Sequence, residues 1–367
     1  MLYVVITNVL AVIVVLGVMI LIHELGHFLA AKYFGIRVEV FSFGFGKRLW
    51  GFRKGETDYR VSLLPLGGYV KMAGEQELDE THSPKPGDYL SKSVAARAGI
   101  VFAGPFVNYL VACLALWVVF IIGYPEMLPV VGRLQPNMPA QTAGIQLKDR
   151  VRVIDGVPVN TWDEMTAVIH QSAGRPLSVV VDREGAAHTL TVTPRMRQIT
   201  DPFGRKKQVG LIGVGPSGAF ESLRFGPVEA FGRSFKKLHE WSGQTLLGLW
   251  SVATGRMPMR ESMTGPIGII ILTSEAVKAG IAPLLLLISL FSLSLAIFNL
   301  FPVPVLDGGH LLFLFLERLR GKPVSLTIQG RSAQVGLALL IALVVTVCAN
   351  DLSRFGFVDK VKEWFIR

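Results

Sequence analysis

The sequence predicts an α-helical membrane protein with four transmembrane helices, a membrane-associated β region on the cytoplasmic side and an extracytoplasmic β-rich domain. Three observations lead there. The 367 residues are 51% hydrophobic and 17% charged, with a mean hydropathy of +0.47, whereas soluble domains carry about 25% charged residues. Four runs, 1–22, 98–125, 279–306 and 332–350, contain no Asp, Glu, Lys or Arg. Each is about as long as the roughly 20 apolar residues that a spanning helix needs. The stretches that follow the first two runs hold short apolar segments punctuated by glycine, the pattern of strands and turns.

The first run extends to a helix over 1–35. A cleaved signal peptide would start with basic residues and stop after a short apolar core. Here nothing basic precedes the run, and it continues into His23-Glu24-Leu25-Gly26-His27, so it reads as a helix of the mature protein. Residues 36–97 form the cytoplasmic β region. Val38, Val40 and Phe41 lead into Phe43-Gly44-Phe45-Gly46, Tyr59 to Leu64 form another strand, and Gly67-Gly68 marks a further turn. Aromatics alternating with glycines suit a hairpin dipping into the membrane interface and suit an ordinary cytoplasmic hairpin equally. Residues 76–92 read as a loop.

After the second span, 98–125, residues 126–198 form the β-rich domain. It has strands at 130–134 and 154–159, a helix from Trp162 to Gln171, and paired strands at 177–181 and 188–192 around Arg183-Glu184-Gly185. The pattern resembles a single PDZ domain, most specifically in the run Asp149 to Gly156. Residues 199–278 read as a linker with an amphipathic helix, where Phe225, Phe231, Phe235, Lys236, Lys237 and Trp241 suit either the membrane surface or packing on the PDZ-like domain. The third span, 279–316, a loop at 317–331, the fourth span, 332–350, and an amphipathic tail, 351–367, complete the chain.

Orientation follows from the 317–331 loop, where Arg318, Arg320, Lys322 and Arg331 stand against Glu317. That excess of positive charge places the loop in the cytoplasm. Alternation puts both termini and the PDZ-like domain outside. The formal net charge of +10 is spread over loops flanking the spans, which fits anionic lipid headgroups rather than nucleic acid. Cys113 and Cys348 both lie in apolar spans and read as packing residues.

The chemistry starts at His23 and His27. Four residues apart on a helix, they share one face and can grip one metal ion, with Glu24 beside it. In a zinc hydrolase such a carboxylate acts as the base toward water. Burying an ionisable group in a span costs on the order of 3 kcal/mol, which makes a mere cap for the span the weaker reading. Catalytic zinc takes three protein ligands. Asp307 is the candidate third, in the Asn299 to Gly309 segment where two prolines and two glycines break the helix. Such irregular backbone at membrane depth must be buried in protein or line a wet cavity. His27 and Asp307 each lie five to ten residues from the next cytoplasmic charges, about 8–15 Å of helix, so they can meet at one level. His310, one turn on, is a rival ligand. Asn299 suits a bond to substrate and suits satisfaction of freed backbone groups equally.

These two motifs resemble those of the site-2 protease family of intramembrane zinc metalloproteases, in the bacterial regulator-of-sigma-E protease type, over nearly the whole chain. The resemblance implies Zn2+ held by His23, His27 and Asp307, catalysis by Glu24, and contact with substrate at Asn299. It places the family's membrane-dipping hairpin around Gly44 and Gly46. In the mechanism this suggests, an edge strand from residues 41–46 holds the unwound substrate extended by β-addition. It implies an inner-membrane metalloendopeptidase acting in regulated intramembrane proteolysis on single-span membrane proteins, such as a pre-trimmed anti-sigma factor or leftover signal peptides. A peptide C-terminus is the expected partner of the PDZ-like domain. Members of this type commonly carry two tandem PDZ domains, and this chain reads as carrying one. A non-proteolytic scaffold would have no use for Glu24, and a zinc transporter would need ionisable residues along spans that lack them.

Overall fold

The computed structural model describes residues 2–75, 85–258 and 264–354. Among them, four helices are long and apolar enough to cross a membrane, with spanning segments at Val12–Tyr33, Val94–Ile122, Ile281–Asn299 and Thr327–Ser353. Part of the expected 76–92 loop and most of the expected 351–367 tail lie outside the described residues. The chain divides into two compact units, one from Met1–Val119, Phe231–Thr245 and Arg260–Arg367, the other from Phe120–Ala230 and Leu246–Met259.

In the first unit, helix α1 (Leu2–Tyr33) is followed by strands β1 (Val38–Lys54) and β2 (Thr57–Met72), which turn at Gly55. Both strands are strongly bent, and their pairing makes four ribbons from two strands. Val40 to Phe43 pairs with 68–71 on one side and with 58–61 on the other, and 58–62 pairs again with 48–53. The ribbon order is therefore 68–72, 38–43, 58–64, 48–54. Gly67-Gly68 does not turn the chain as expected. It lies inside β2, where Gly67 takes φ +141 and a Cβ would stand 2.5 Å from the Phe45 ring. Ser42 and Ser62, both buried, bond each other at 3.0 Å between the ribbons. On the far ribbon Leu49, Trp50 and Phe52 are exposed.

Helix α2 (Val94–Ile122) starts four residues before the uncharged run and so takes in Arg97. The charge is tolerated because Arg97, though buried, forms a two-pronged ion pair with Glu317. The expected third span is two helices preceded by a third. After α5 (Pro227–Ala253), α6 (Pro266–Ala279) and α7 (Ile281–Asn299) part at Gly280, and α8 (Asp307–Arg320) begins after the Pro302 and Pro304 segment. Proline lacks the N–H that would continue α7 and pushes its predecessor out of helical geometry. Helix α9 (Leu326–Arg354) carries Asp351, fully buried, whose carboxylate accepts the Gly265 and Gly268 N–H groups at 3.1 and 3.0 Å. It caps the first turn of α6 from another helix.

The second unit holds the β-rich region. Strands β5 (Arg150–Ile154), β6 (Val157–Pro158), β7 (Leu177–Arg183) and β8 (Ala186–Val192) form one sheet in the order β6-β5-β7-β8. Helix α4 (Trp162–Gln171) starts at a capping box of Thr161 and Glu164. The expected boundary at 198 falls short. Strands β9 (Arg195–Thr200) and β10 (Lys206–Leu211) pair with each other, and β11 (Val214–Pro216) pairs back to β4 (Val131–Leu134). Ile212 joins Val131, Ile154, Met165, Leu177 and Val181 in the core. The polar stretch around 201–207 looked like linker because a surface hairpin has no buried face of its own.

Candidate metal centre

Helix α1 presents His23 and His27 one turn apart, with rings perpendicular and centroids 4.7 Å apart. Their Nε2 atoms lie 3.2 Å from each other. Helix α8 brings Asp307 at its first residue, where a carboxylate is favoured by the helix dipole, worth roughly 0.3–1 kcal/mol. Its Oδ2 stands 3.1 Å from His23 Nε2 and 3.5 Å from His27 Nε2. Backbone contact fixes that start: a Cβ on Gly308 would lie 2.2 Å from the Phe301 carbonyl oxygen, and one on Gly309 2.4 Å from that of Val303.

Three facts show that these residues fit zinc. Tetrahedral ligands at about 2.0–2.1 Å from zinc stand about 3.3 Å apart, and the three sides of this triangle measure 3.1, 3.2 and 3.5 Å. Asp307 Oδ2 is buried and, despite both imidazoles nearby, has no hydrogen-bond partner, as a ligand atom would not. Among the described residues, these three form the His/Cys/Asp/Glu group whose ligand atoms lie within 4.8 Å of one another. His310 lines the same cavity but stands outside this group.

The back wall of the site is α2. A Cβ on Gly26 would lie 2.5 Å from the Ala103 carbonyl oxygen, so α1 and α2 cross at backbone contact. Gly104 sits under the imidazoles, where a Cβ would stand 2.3 Å from His27 Nε2 and 2.8 Å from His23 Cε1. The Ile100 carbonyl accepts His27 Nδ1–H at 2.9 Å. That leaves the Nε2 lone pair facing the triangle.

A cavity of about 890 Å³ opens over the triangle, lined by Glu24, Gly68, Val70, Asn299 and Asp307 among others. Glu24 is half-buried and, like Val70, lines the cavity. Asn299 ends α7 with its Nδ2 3.5 Å from His23 Nε2. Gly44 and Gly46 flank the cavity's edge rather than form it. Neither glycine lines the cavity; Phe45 between them does. Residues 41–43 lie in the middle of the sheet, so the ribbon presented to the cavity is 67–72. Gly44 also serves the sheet: at φ +91, a Cβ would lie 2.7 Å from the Leu64 carbonyl oxygen. Sequence reasoning missed Gly104, Asn108, Val70 and Arg97. Asn108 alone left a trace, as the one amide side chain in the second uncharged run, 98–125.

A family model for peptidase family M50 matches residues 11–343. The chain belongs to that family. The regulator of sigma E protease of Salmonella typhimurium is 30% identical over 451 residues, covering 95% of this chain and 98% of its own. The zinc metalloprotease RasP of Geobacillus kaustophilus is 28% identical over 424 residues, covering 95% and 98%. A Rhizobium meliloti relative is 36% identical over 354 residues, covering 92% and 94%. As an M50 peptidase with four apolar helices, the protein is a membrane metalloprotease, and its His23–His27–Asp307 group can bind the metal.

Proposed function

We propose that this M50 peptidase holds zinc on His23, His27 and Asp307 and cuts transmembrane segments of single-span proteins within an inner membrane. The observation that carries the reading is the unsatisfied triangle of ligand atoms with Glu24 beside it, at the base of a cavity lined by a strand edge. When bound, zinc supplies Lewis-acid polarisation of the scissile carbonyl and lowers the pKa of water toward about 7. Glu24 accepts the proton of the attacking water as its oxygen joins the carbonyl carbon. It then returns that proton to the amide nitrogen as the C–N bond breaks. Asn299 donates to the carbonyl oxygen of the substrate. The 67–72 ribbon takes the unwound substrate as an added strand, exposing an amide that a helix would hide.

Both termini and the β-rich unit are extracytoplasmic in this reading, and the β1–β2 sheet lies on the cytoplasmic side. The exposed Leu49, Trp50 and Phe52 support contact of that sheet with lipid. The β-rich unit acts as a single PDZ domain that admits substrates trimmed outside or binds their new C-termini. Regulated intramembrane proteolysis of a pre-trimmed anti-sigma factor, or removal of leftover signal peptides, is the physiological role.

The test is a comparison of wild type with Glu24→Gln in detergent, measuring bound zinc and cutting of a single-span substrate. Zinc in both and cutting in wild type alone is expected. Zinc in both with equal cutting would remove Glu24 from the mechanism.

A further inference from the structure

Asn108 lies on α2 within the second span and has no accessible surface. An amide buried without partners costs about 1–3 kcal/mol, so its place needs a reason. Its side chain faces His23, with Nδ2 3.2 Å from Nδ1, while its Oδ1 is buried and unpartnered. This amide orientation asks His23 to accept at Nδ1. A neutral imidazole would then carry its proton on Nε2. Yet Nε2 is the atom that faces Asp307 and His27 at 3.1 and 3.2 Å, and a metal ligand must offer a lone pair there. Turning the Asn108 amide by half a rotation resolves the conflict. Oδ1 then accepts Nδ1–H, the orphaned oxygen gains a partner, and Nε2 is left free. Amide orientation is assigned from the hydrogen-bond network, and the network here asks for the turned form.

We propose that Asn108 is the positioning residue for His23, holding the Nδ1–H tautomer through its carbonyl oxygen. The inference rests on the zinc site read above. It is the counterpart of the Ile100 carbonyl, which does the same for His27 at 2.9 Å. One helix thus orients both imidazoles, with Gly104 between the two acceptors leaving room for the rings to lie against it. The two anchors differ in kind. Ile100 contributes a main-chain oxygen that no substitution removes, whereas the His23 anchor is a side chain and is open to test.

The experiment measures zinc affinity by competition with a chelator on full-length protein in detergent. It compares wild type, His27→Ala, Asn108→Leu and Asn108→Asp, with melting of each metal-free form as the measure of folding. Outer-shell partners of this kind are worth roughly 10–100-fold in metal affinity. Asn108→Leu should therefore weaken zinc by that factor with its metal-free melting near wild type. Asn108→Asp, which keeps an acceptor oxygen, should recover most of the loss. Wild-type affinity in Asn108→Leu, or equal losses in the Leu and Asp variants, overturns the proposal. His27→Ala separates the two readings: if it keeps wild-type affinity, the zinc site itself is misplaced, whereas its loss beside an unaffected Asn108→Leu refutes Asn108 alone.

Discussion

Substituting Gly104 by alanine tests the metal centre from behind, without touching a ligand. The added Cβ would stand 2.3 Å from His27 Nε2, 2.5 Å from His27 Cε1 and 2.8 Å from His23 Cε1. Ordinary contact begins near 3.4 Å, so the imidazole of His27 must retreat by about 1 Å. Metal–ligand distances tolerate about 0.2 Å, so the triangle with Asp307 cannot survive that shift. A misplacement of about 1 Å costs on the order of 100-fold in rate, and zinc affinity should fall by at least the 10–100-fold of a lost outer-shell partner. The helix itself should not suffer, since alanine is favoured over glycine in a helix interior by about 1 kcal/mol. Gly99→Ala on the same helix is the control, because its Cβ would meet only the Phe34 ring at 3.4 and 3.5 Å. The assay pairs chelator competition for zinc with cleavage of a single-span substrate. A Gly104→Ala protein with wild-type zinc affinity and cutting would refute the reasoning.

Two further outcomes concern stability. Arg97→Met should destabilise the first unit by about 3–5 kcal/mol, because Glu317 would lose its partner in a site where its side chain is only 14% exposed; thermal melting in detergent should show the drop, and Arg97→Met with Glu317→Leu should recover most of it. In the β-rich unit Asp149 has no accessible surface, and burial raises its pKa, but the Arg183 guanidinium and the Gln146 N–H outweigh that and hold it below the ordinary value of 3.8. A lowered folded value means that its stabilisation is complete above about 3.8 and is lost as pH falls through the folded pKa. Acid unfolding of this unit should therefore steepen below pH 3.8, and Asp149→Asn should remove that pH dependence while lowering stability at neutral pH.

Local rules made much of this protein legible in its sequence. The four spans follow from uncharged length alone, because lipid solvates neither charge nor unpaired backbone. The His23–His27 pair follows from the helical period, and the broken helix before Asp307 follows from Pro302, Pro304, Gly308 and Gly309. The meeting of these two motifs rests, in the sequence, on similar distances to the cytoplasmic charges and on the family resemblance, and the structure puts their ligand atoms 3.1–3.5 Å apart. Tertiary structure alone decided the ribbon order of the β1–β2 sheet, since alternation in a strand names its faces but not its neighbours. That order puts 67–72, rather than 41–43, at the cavity edge. It also decided that Arg97 pairs with Glu317, 220 residues away, that Ile212 belongs to the β-rich core, and that Asn108 faces His23 across 85 residues. Each is a contact between distant segments, fixed by which helices cross and where glycine lets them approach, and no local propensity encodes it.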